Sequence, residues 1–393
     1  MGLVHPALAL ALVLVAGIGL TRLSRPSFRH PSLLDDLVAT GVPFLLLGLL
    51  LGPGLGVIDG AGLRLLQPVI ALGIGWCGAL FGARLEWRMV RRVSARTWLI
   101  GATLALPVLV VTAATAWVLA RALPPLAESW GRPSLAVALV LGGALTTAAS
   151  QRGPRLGRRN ALFDTAFGAA AVIIGVALYH PHVAVRTIVV TLLVGGGLGS
   201  LFVALARGGM LNEQRDAGLA AFAVILWGAG FSYAAGLSPF VVCALEAAVF
   251  MSFSPIAVHR AVTGLLGRWE LPLYAAFLIV AGALLRPLTA WVVLAALVLA
   301  LIRVLVRWVT VRFGLDQVDP VWRSLPFEPP REFAYSAIRQ GAGAVALAAG
   351  FDLVRGAPGG GGVLVTILLC VMAAEALAAL TPLTARPSQA EVS

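Results

Sequence analysis

Lysine is absent from this chain of 393 residues, so all 29 basic side chains are arginines. Charge is sparse overall, since Asp, Glu, Lys and Arg together supply only 12% of the residues. A guanidinium group keeps its proton at every physiological pH. Proton exchange near neutrality is therefore excluded for every basic side chain other than histidine.

Cysteine is also rare, and its positions exclude several classes of site. Cys77, Cys243 and Cys370 each lie inside an apolar run, with no CxxC pair and no histidine at ligand spacing, as is typical of small core residues. The sequence contains no GxxxxGK[ST] loop, nucleophile elbow or zinc motif. We therefore expect no metal site, no cofactor and no enzymatic activity, because no acid/base pair has the spacing that such chemistry needs.

Apolar sequence, in contrast, is abundant. Hydrophobic residues make up 60% of the chain and the mean hydropathy is +0.95, far too apolar for a soluble domain of this length. Runs rich in Leu, Ala and Val, without alternation, predict membrane-spanning helices rather than strands. Thirteen such segments lie at about 5–22, 37–58, 65–84, 97–121, 134–150, 160–179, 187–206, 217–235, 238–256, 271–285, 288–309, 333–351 and 362–381. The predicted fold class is an all-α polytopic membrane protein.

The arginines between these spans fall mainly on one side of the membrane. With thirteen spans, 21 arginines are assigned to one side, including Arg307 at the end of the span 288–309, and six to the other. The positive-inside rule places the arginine-rich side in the cytoplasm. We therefore expect a plasma-membrane protein with its N-terminus outside and its C-terminus inside, and interpret the charge as topogenic rather than as a nucleic-acid surface.

One carboxylate lies within the span NALFDTAFGAAAVIIGVALY, residues 160–179. An acid at bilayer depth usually lines an ion path or a water-filled cavity, so Asp164 is a candidate functional residue. The preceding span ends with Thr146 and Thr147, whose hydroxyls, with freed carbonyls of a broken helix, can help to coordinate a cation. Late in the chain, the glycine-rich run IRQGAGAVALAAG, which includes Arg339, is likewise followed by a span with a buried acid, Glu375.

An internal repeat is indicated by two pairs of segments. LLLGLLLGPGLGVID and ALFGARLEWRMVRR have counterparts seven spans later in YAAGLSPFVVCALEAAVF and FLIVAGALLRP. An odd offset means that the two units cross the membrane in opposite directions, as in inverted-repeat transporters. We expect one membrane domain over residues 1–393, with an extra N-terminal helix and loop, a first repeat, linker helices, a second repeat and a short tail at 5–36, 37–179, 180–237, 238–384 and 385–393.

These motifs resemble the monovalent cation:proton antiporter-2 family, the Kef-like and NhaA-fold sodium/proton exchangers. LGLLLGPGLG at 47–56 and LFGARLEWRMVRR at 80–92 carry the resemblance most strongly, and LSPFVVCALEAAVFMS, FLIVAGALLRP and RQGAGAVALA support it by their order. The resemblance implies an elevator-type exchanger, usually a homodimer. Two interrupted crossing helices would lie in a core formed by the spans at 97–121, 134–150, 160–179, 288–309, 333–351 and 362–381.

The resemblance also implies roles for individual residues. Thr146 and Thr147 match the hydroxyl-bearing break of the first crossing helix, and Asp164 lies in the family's acidic motif. That motif is commonly Asp-Asp or Asn-Asp, whereas Thr165 follows here. Arg303 matches a position where many members carry lysine. These differences favour a one-carboxylate, electroneutral exchanger, or a relative that has lost exchange.

Several of these charged residues have two possible roles. Asp164 either binds a proton and a cation alternately or serves as a structural partner of Arg303. Arg303 pairs with Asp164 or with Glu375. Glu246, on a helix that resembles the dimer panel, is either a pH-responsive group or a buried hydrogen-bonded acid. Arg339 either extends to the membrane surface or attracts an anion.

The function that these features predict is exchange of Na⁺ or K⁺ for H⁺ by alternating access. Asp164, Thr165, Thr146 and Thr147 would bind the ions. The expected partners are these ions, the lipid bilayer and a second copy of the chain, without nucleic acid. Two alternatives remain: an organic-anion carrier of the same fold, in which Arg303 or Arg339 binds the substrate carboxylate, and a transport-inactive regulatory membrane component.

Overall fold

The described part of the chain is almost entirely helical. The computed structural model describes residues 15, 19, 41–55, 60–131, 135–148, 155–211, 214–285, 289–314, 340–356 and 361–380, and contains no β-strand within them. Its helices are α1 Val42–Leu49, α2 Gly60–Arg84, α3 Trp87–Val90, α4 Ala95–Ala122, α5 Pro124–Trp130, α6 Leu135–Thr146, α7 Arg155–Tyr179, α8 Ala184–Arg207, α9 Gln214–Ala234, α10 Pro239–Phe253, α11 Ile256–Ala283, α12 Ala290–Val309, α13 Ala342–Val354 and α14 Gly362–Leu380. Wider π-helical turns continue α1 and α12, at Leu50–Gly54 and Thr310–Gly314.

This architecture confirms the predicted fold class. Twelve of the thirteen predicted spans coincide with described helices, and the first, at 5–22, lies outside the described residues apart from Val15 and Gly19. Seven helices (α2, α4, α7, α8, α9, α11 and α12) are long and apolar enough to cross a membrane, and α1, α6, α10, α13 and α14 are shorter apolar helices. The protein is a multi-pass membrane protein.

Helix α11 is longer than the sequence pattern predicted. The predicted span began at 271, whereas the helix begins at Ile256 and continues through Pro272. Val258, Val262 and Leu266 recur every four residues and are buried, whereas Arg260 and Arg268 are exposed. This half of α11 is amphipathic, so its mean hydropathy is too low to indicate a span. The spacing of its apolar residues is nevertheless helical.

Glycines bring four of the helices together in two close pairs. A Cβ at Gly78 or Gly82 of α2 would overlap the backbone carbonyls of Phe240 and Ala244 on α10. The same type of contact joins α1 to α11, where a Cβ at Gly48 would overlap the carbonyl of Ile279. Small residues allow such backbone contact between membrane helices. Gly48, Gly78 and Gly82 are therefore helix-packing positions.

The buried apolar side chains form two clusters. The larger one joins α4, α6, α7, α12, α13 and α14, which are the six helices predicted as the core, and it also includes residues of α1, α2, α5, α10 and α11. The second cluster is built from α2, α8, α9, α10 and the first half of α11. Helices α6 and α13 are short and end within the larger cluster, and their ends define the candidate site.

Candidate functional site

The carboxyl end of α6 lies buried inside the protein. The helix ends at Thr146, and Thr147 and Ala148 continue in non-helical conformation. The Thr146 hydroxyl donates to the Gly142 carbonyl at 2.8 Å, and the Thr147 hydroxyl donates to the Ala144 carbonyl at 2.8 Å. The last carbonyls of a helix have no partner within the helix, so a buried helix end needs donors from elsewhere.

Arg303 of α12 supplies those donors. Its Nε donates to the Leu145 carbonyl at 2.7 Å and its Nη2 to the Thr147 carbonyl at 3.2 Å. Arg303 is only 1% exposed. A cation at the carboxyl end of a helix is stabilised by the negative end of the helix dipole. Arg303 therefore balances the end of α6 both electrostatically and by hydrogen bonds.

Helix α13 begins next to this end, and the free N–H groups at its start need hydrogen-bond acceptors rather than donors. The Gln340 side-chain amide donates from Nε2 to the same Leu145 carbonyl at 3.3 Å, and the Gln340 backbone N–H donates to Glu375 Oε1 of α14 at 3.2 Å. A carboxylate is favourable near the amino end of a helix. The two half-helices thus meet end to end, with an arginine at the negative end of one and a glutamate at the positive end of the other.

Asp164 of α7 is 1% exposed and pairs with Arg307 of α12. Nη1 of Arg307 donates to Oδ1 at 3.1 Å, Nη2 donates to Oδ2, and Nη1 also donates to the Leu104 carbonyl at 2.9 Å. Bidentate contacts of this kind are among the strongest charged hydrogen bonds in proteins. The acid that the sequence singled out is therefore held by a charge within the bundle.

The sequence left the partner of Arg303 open between Asp164 and Glu375 and did not consider Arg307, which the structure pairs with Asp164. The pairing also corrects the assignment of Arg307 to the arginine-rich side of the membrane, since Arg307 is 3% exposed. A signal for Arg307 does exist in the sequence. Small and apolar residues recur at helical spacing in α12 from Val292 to Ala300, and Arg303 and Arg307 continue the same buried stripe. Residues four apart share a helix face, so both guanidinium groups enter the core.

Thr165 lies beside the junction of the half-helices. Its hydroxyl donates to the Ala161 carbonyl at 2.8 Å. A Cβ built at Gly343 of α13 would lie 3.9 Å from Thr165 Cγ2 and 4.0 Å from Thr147 Cβ. The two threonines and this glycine therefore bring α6, α7 and α13 together. Nearby, Gln340 Oε1 is buried and accepts no hydrogen bond from the described residues.

Other predicted residues lie away from this junction. Glu246 is fully buried on α10, in the second cluster, and neither carboxylate oxygen has a hydrogen-bond partner among the described residues. It lies against Gly228 of α9, where a Cβ would overlap Oε2. Arg339 lies outside the described residues. In the described ranges, no group of three His, Cys, Asp or Glu residues is placed to hold a metal ion.

A further buried acid, Asp352, which the sequence pattern did not single out, lies at the other end of α13. Asp352 Oδ2 accepts a hydrogen bond from the Leu364 backbone N–H at 3.1 Å, near the start of α14, and Oδ1 lies 3.5 Å from Arg355 Nη2. Arg355 also donates to the Trp130 carbonyl of α5. An acid at a helix start caps its free amides. The Asp352–Arg355 spacing of three within an apolar helix is the signal that points to this cluster.

The junction contains the Glu375 carboxylate, which accepts the Gln340 backbone N–H, and the Asp164 carboxylate, which pairs with Arg307, lies on the neighbouring helix α7. Threonine oxygens, helix-end carbonyls and the Gln340 amide oxygen lie around the same junction. These are the oxygen donors that alkali cations use. The helices and this junction define a class: multi-pass membrane proteins with two half-helices that meet beside a buried ion pair.

No protein-family model and no curated protein sequence matches the chain. Solved structures, in contrast, do match it. One similar structure is the sodium proton antiporter MjNhaP1 from Methanocaldococcus jannaschii at pH 8. The TM-score is 0.61 at 16% sequence identity, over 96% of this chain and 100% of that one. The chain therefore has the fold of a sodium/proton antiporter.

Proposed function

We propose that the protein exchanges a monovalent cation, Na⁺ or K⁺, for protons across the membrane. The observation that carries the proposal is the buried Asp164 carboxylate beside the meeting point of two half-helices, in a chain with the fold of a sodium/proton antiporter. An ionisable side chain at this depth is costly unless it has a function or a partner. Asp164 has a partner that a cation can replace.

In the proposed cycle, Asp164 binds one positive species at a time. Arg307 neutralises it at rest, a cation displaces the guanidinium group from one side of the membrane, and a proton replaces the cation on the other. Competition of cation and proton for one carboxylate couples their movements. Arg303 and Glu375 keep the half-helix ends neutral throughout, because each already balances one helix end.

The finer architecture belongs to the same proposal. Residues 37–179 and 238–384 would form inverted repeats, and the α1–α11 and α2–α10 contacts support this because a two-fold axis in the membrane plane would exchange them. The six helices α4, α6, α7, α12, α13 and α14 would move as the core against the other helices, in a homodimer with its N-terminus outside a plasma membrane.

Flux measurements in proteoliposomes test the proposal. A proton gradient should drive uptake of Na⁺ or K⁺ into vesicles containing the wild-type protein, and Asp164→Asn should reduce the rate at least about 100-fold, since the amide cannot carry the exchanged charge. Glu128→Gln is the matched control, because Glu128 is an exposed acid outside the site. Unchanged flux in Asp164→Asn would overturn the role of this residue.

A transport-inactive membrane component is the second candidate. The bidentate Arg307 contact favours it, since a buried ion pair of this geometry can be purely structural. A folded protein that neither binds nor moves Na⁺ or K⁺ at any pH from 5 to 9 would support this candidate. The organic-anion carrier has less support, because Arg303 is already engaged by helix-end carbonyls, while Arg339 lies outside the described residues.

A further inference from the structure

A large groove separates the two helix clusters at the end of the bundle where α7 ends and α8 begins. Its volume is about 800 Å³, and it lies between α7 on one side and α8, α9 and the start of α10 on the other. Val354, at the end of α13, closes part of it. The groove is thus at the opposite end of α7 from Asp164 and is separate from the half-helix junction.

The walls of this groove are mainly apolar. Ile173 of α7, Ile188 and Leu192 of α8, and Phe231 of α9 line it, and these side chains are between 36% and 55% exposed. Water in contact with large apolar side chains is unfavourable, and protein interiors leave few voids of this size. The groove therefore suits an apolar occupant better than it suits water or a hydrated ion.

One end of the groove is cationic. His180 and Arg186 flank the short connection between α7 and α8, and both line the groove. Arg186 is exposed and forms no ion pair among the described residues, and the lining contains no acidic side chain within them. An arginine at the end of an apolar surface is well placed to meet an anionic group at headgroup level.

We propose that this groove binds one anionic phospholipid, with an acyl chain along Ile173, Ile188 and Leu192 and the phosphate group at Arg186 and His180. The apolar wall of the groove matches the acyl chain of such a lipid, and the basic end matches its phosphate group. α7 belongs to the larger cluster, whereas α8 and α9 belong to the second. A lipid in this position would contact both clusters. This proposal does not depend on ion transport by the protein.

Lipid binding to the delipidated full-length protein tests this proposal. Native mass spectrometry and thermal unfolding are measured in detergent micelles containing either phosphatidylglycerol or phosphatidylcholine. We expect one retained phosphatidylglycerol and a higher melting temperature than with phosphatidylcholine. Arg186→Gln should weaken phosphatidylglycerol binding about fivefold, the effect of removing one arginine near a lipid phosphate. Arg121→Gln, at an exposed arginine outside the groove lining, should leave binding unchanged.

A groove-filling variant tests whether the acyl chain occupies the apolar wall. Ala177→Phe should reduce retention of the lipid, since Ala177 lines that wall. Equal phosphatidylglycerol binding in the wild type, Arg186→Gln and Ala177→Phe would overturn the proposal. So would efficient disulfide cross-linking between two copies carrying Ile188→Cys in lipid-saturated protein, because a second copy would then occupy the groove.

Discussion

Asp164 and Arg307 form a buried ion pair, and only the acid can lose its charge. Asp164 can be neutralised by a proton or a cation, whereas Arg307 keeps its charge at all physiological pH values. If the carboxylate changed partner, as proposed, the guanidinium group would need another acceptor. The Leu104 carbonyl already accepts from Nη1 at 2.9 Å. In the proposed exchange, this contact would hold Arg307 in place.

Removal of Arg307 should destabilise the protein strongly. Arg307→Gln leaves the Asp164 carboxylate buried without its charged partner, and such a change typically costs about 3–5 kcal/mol. The double variant Asp164→Asn, Arg307→Gln should recover much of that loss, because no uncompensated charge remains. Thermal unfolding in detergent measures both. Arg84→Gln is the control, since the Arg84–Glu270 pair is 3.6 Å long and partly exposed. It should change stability by less than about 1 kcal/mol.

Glu246 differs from the other buried acids because its oxygens have no hydrogen-bond partner among the described residues. An ionised carboxylate in that setting would be costly, so we expect a protonated side chain. Glu246→Gln, which keeps shape and neutrality, should change the free energy of unfolding less than Glu375→Gln does. Glu375→Gln should cost about 1 kcal/mol or more, because Glu375 accepts the Gln340 amide. A large loss in Glu246→Gln would show that its charge is stabilised.

At the level of helices, the close α2–α10 contact is the packing feature most sensitive to substitution. Gly82→Val should destabilise the protein by several kcal/mol, because even a Cβ at this position overlaps the Ala244 carbonyl. Gly264→Ala on α11 is the matched control, since nothing lies within 4 Å of a Cβ there. That change should be neutral or stabilising by up to about 1 kcal/mol. Equal stability of the two variants would contradict the packing of α2 against α10.

The half-helices explain why part of the site could be predicted and part could not. The runs that form α6 and α13 are apolar, but α6 ends at Thr146 and α13 begins at Ala342. The hydroxyls and glycines at these ends indicated a break, because such residues weaken a helix. Which charges balance the broken ends depends on the neighbouring helices α12 and α14. Sequence spacing within α6 or α13 does not contain that information.

For the molecule as a whole, the distribution of arginines predicts its orientation. In a background without Cys77, Cys243 and Cys370, a single cysteine at the exposed position Arg92 should react with a membrane-impermeant maleimide only in inside-out vesicles. A cysteine at the exposed position Arg121 should react in intact cells. Labelling of both positions from the same side would contradict the helix count, since one long helix, α4, joins them.

The sequence by itself determined that the chain lies in a membrane, where most of its helices run, and that Asp164 is buried. In lipid the backbone is satisfied only in helices or closed barrels, and long apolar runs without alternation leave only the helix, so composition and length are enough for these conclusions. The tertiary structure decided that Arg307 rather than Arg303 pairs with Asp164, and that Arg303 caps α6. These contacts depend on how α7 and α12 are rotated and packed against each other, and two arginines one turn apart are equivalent until that packing is fixed.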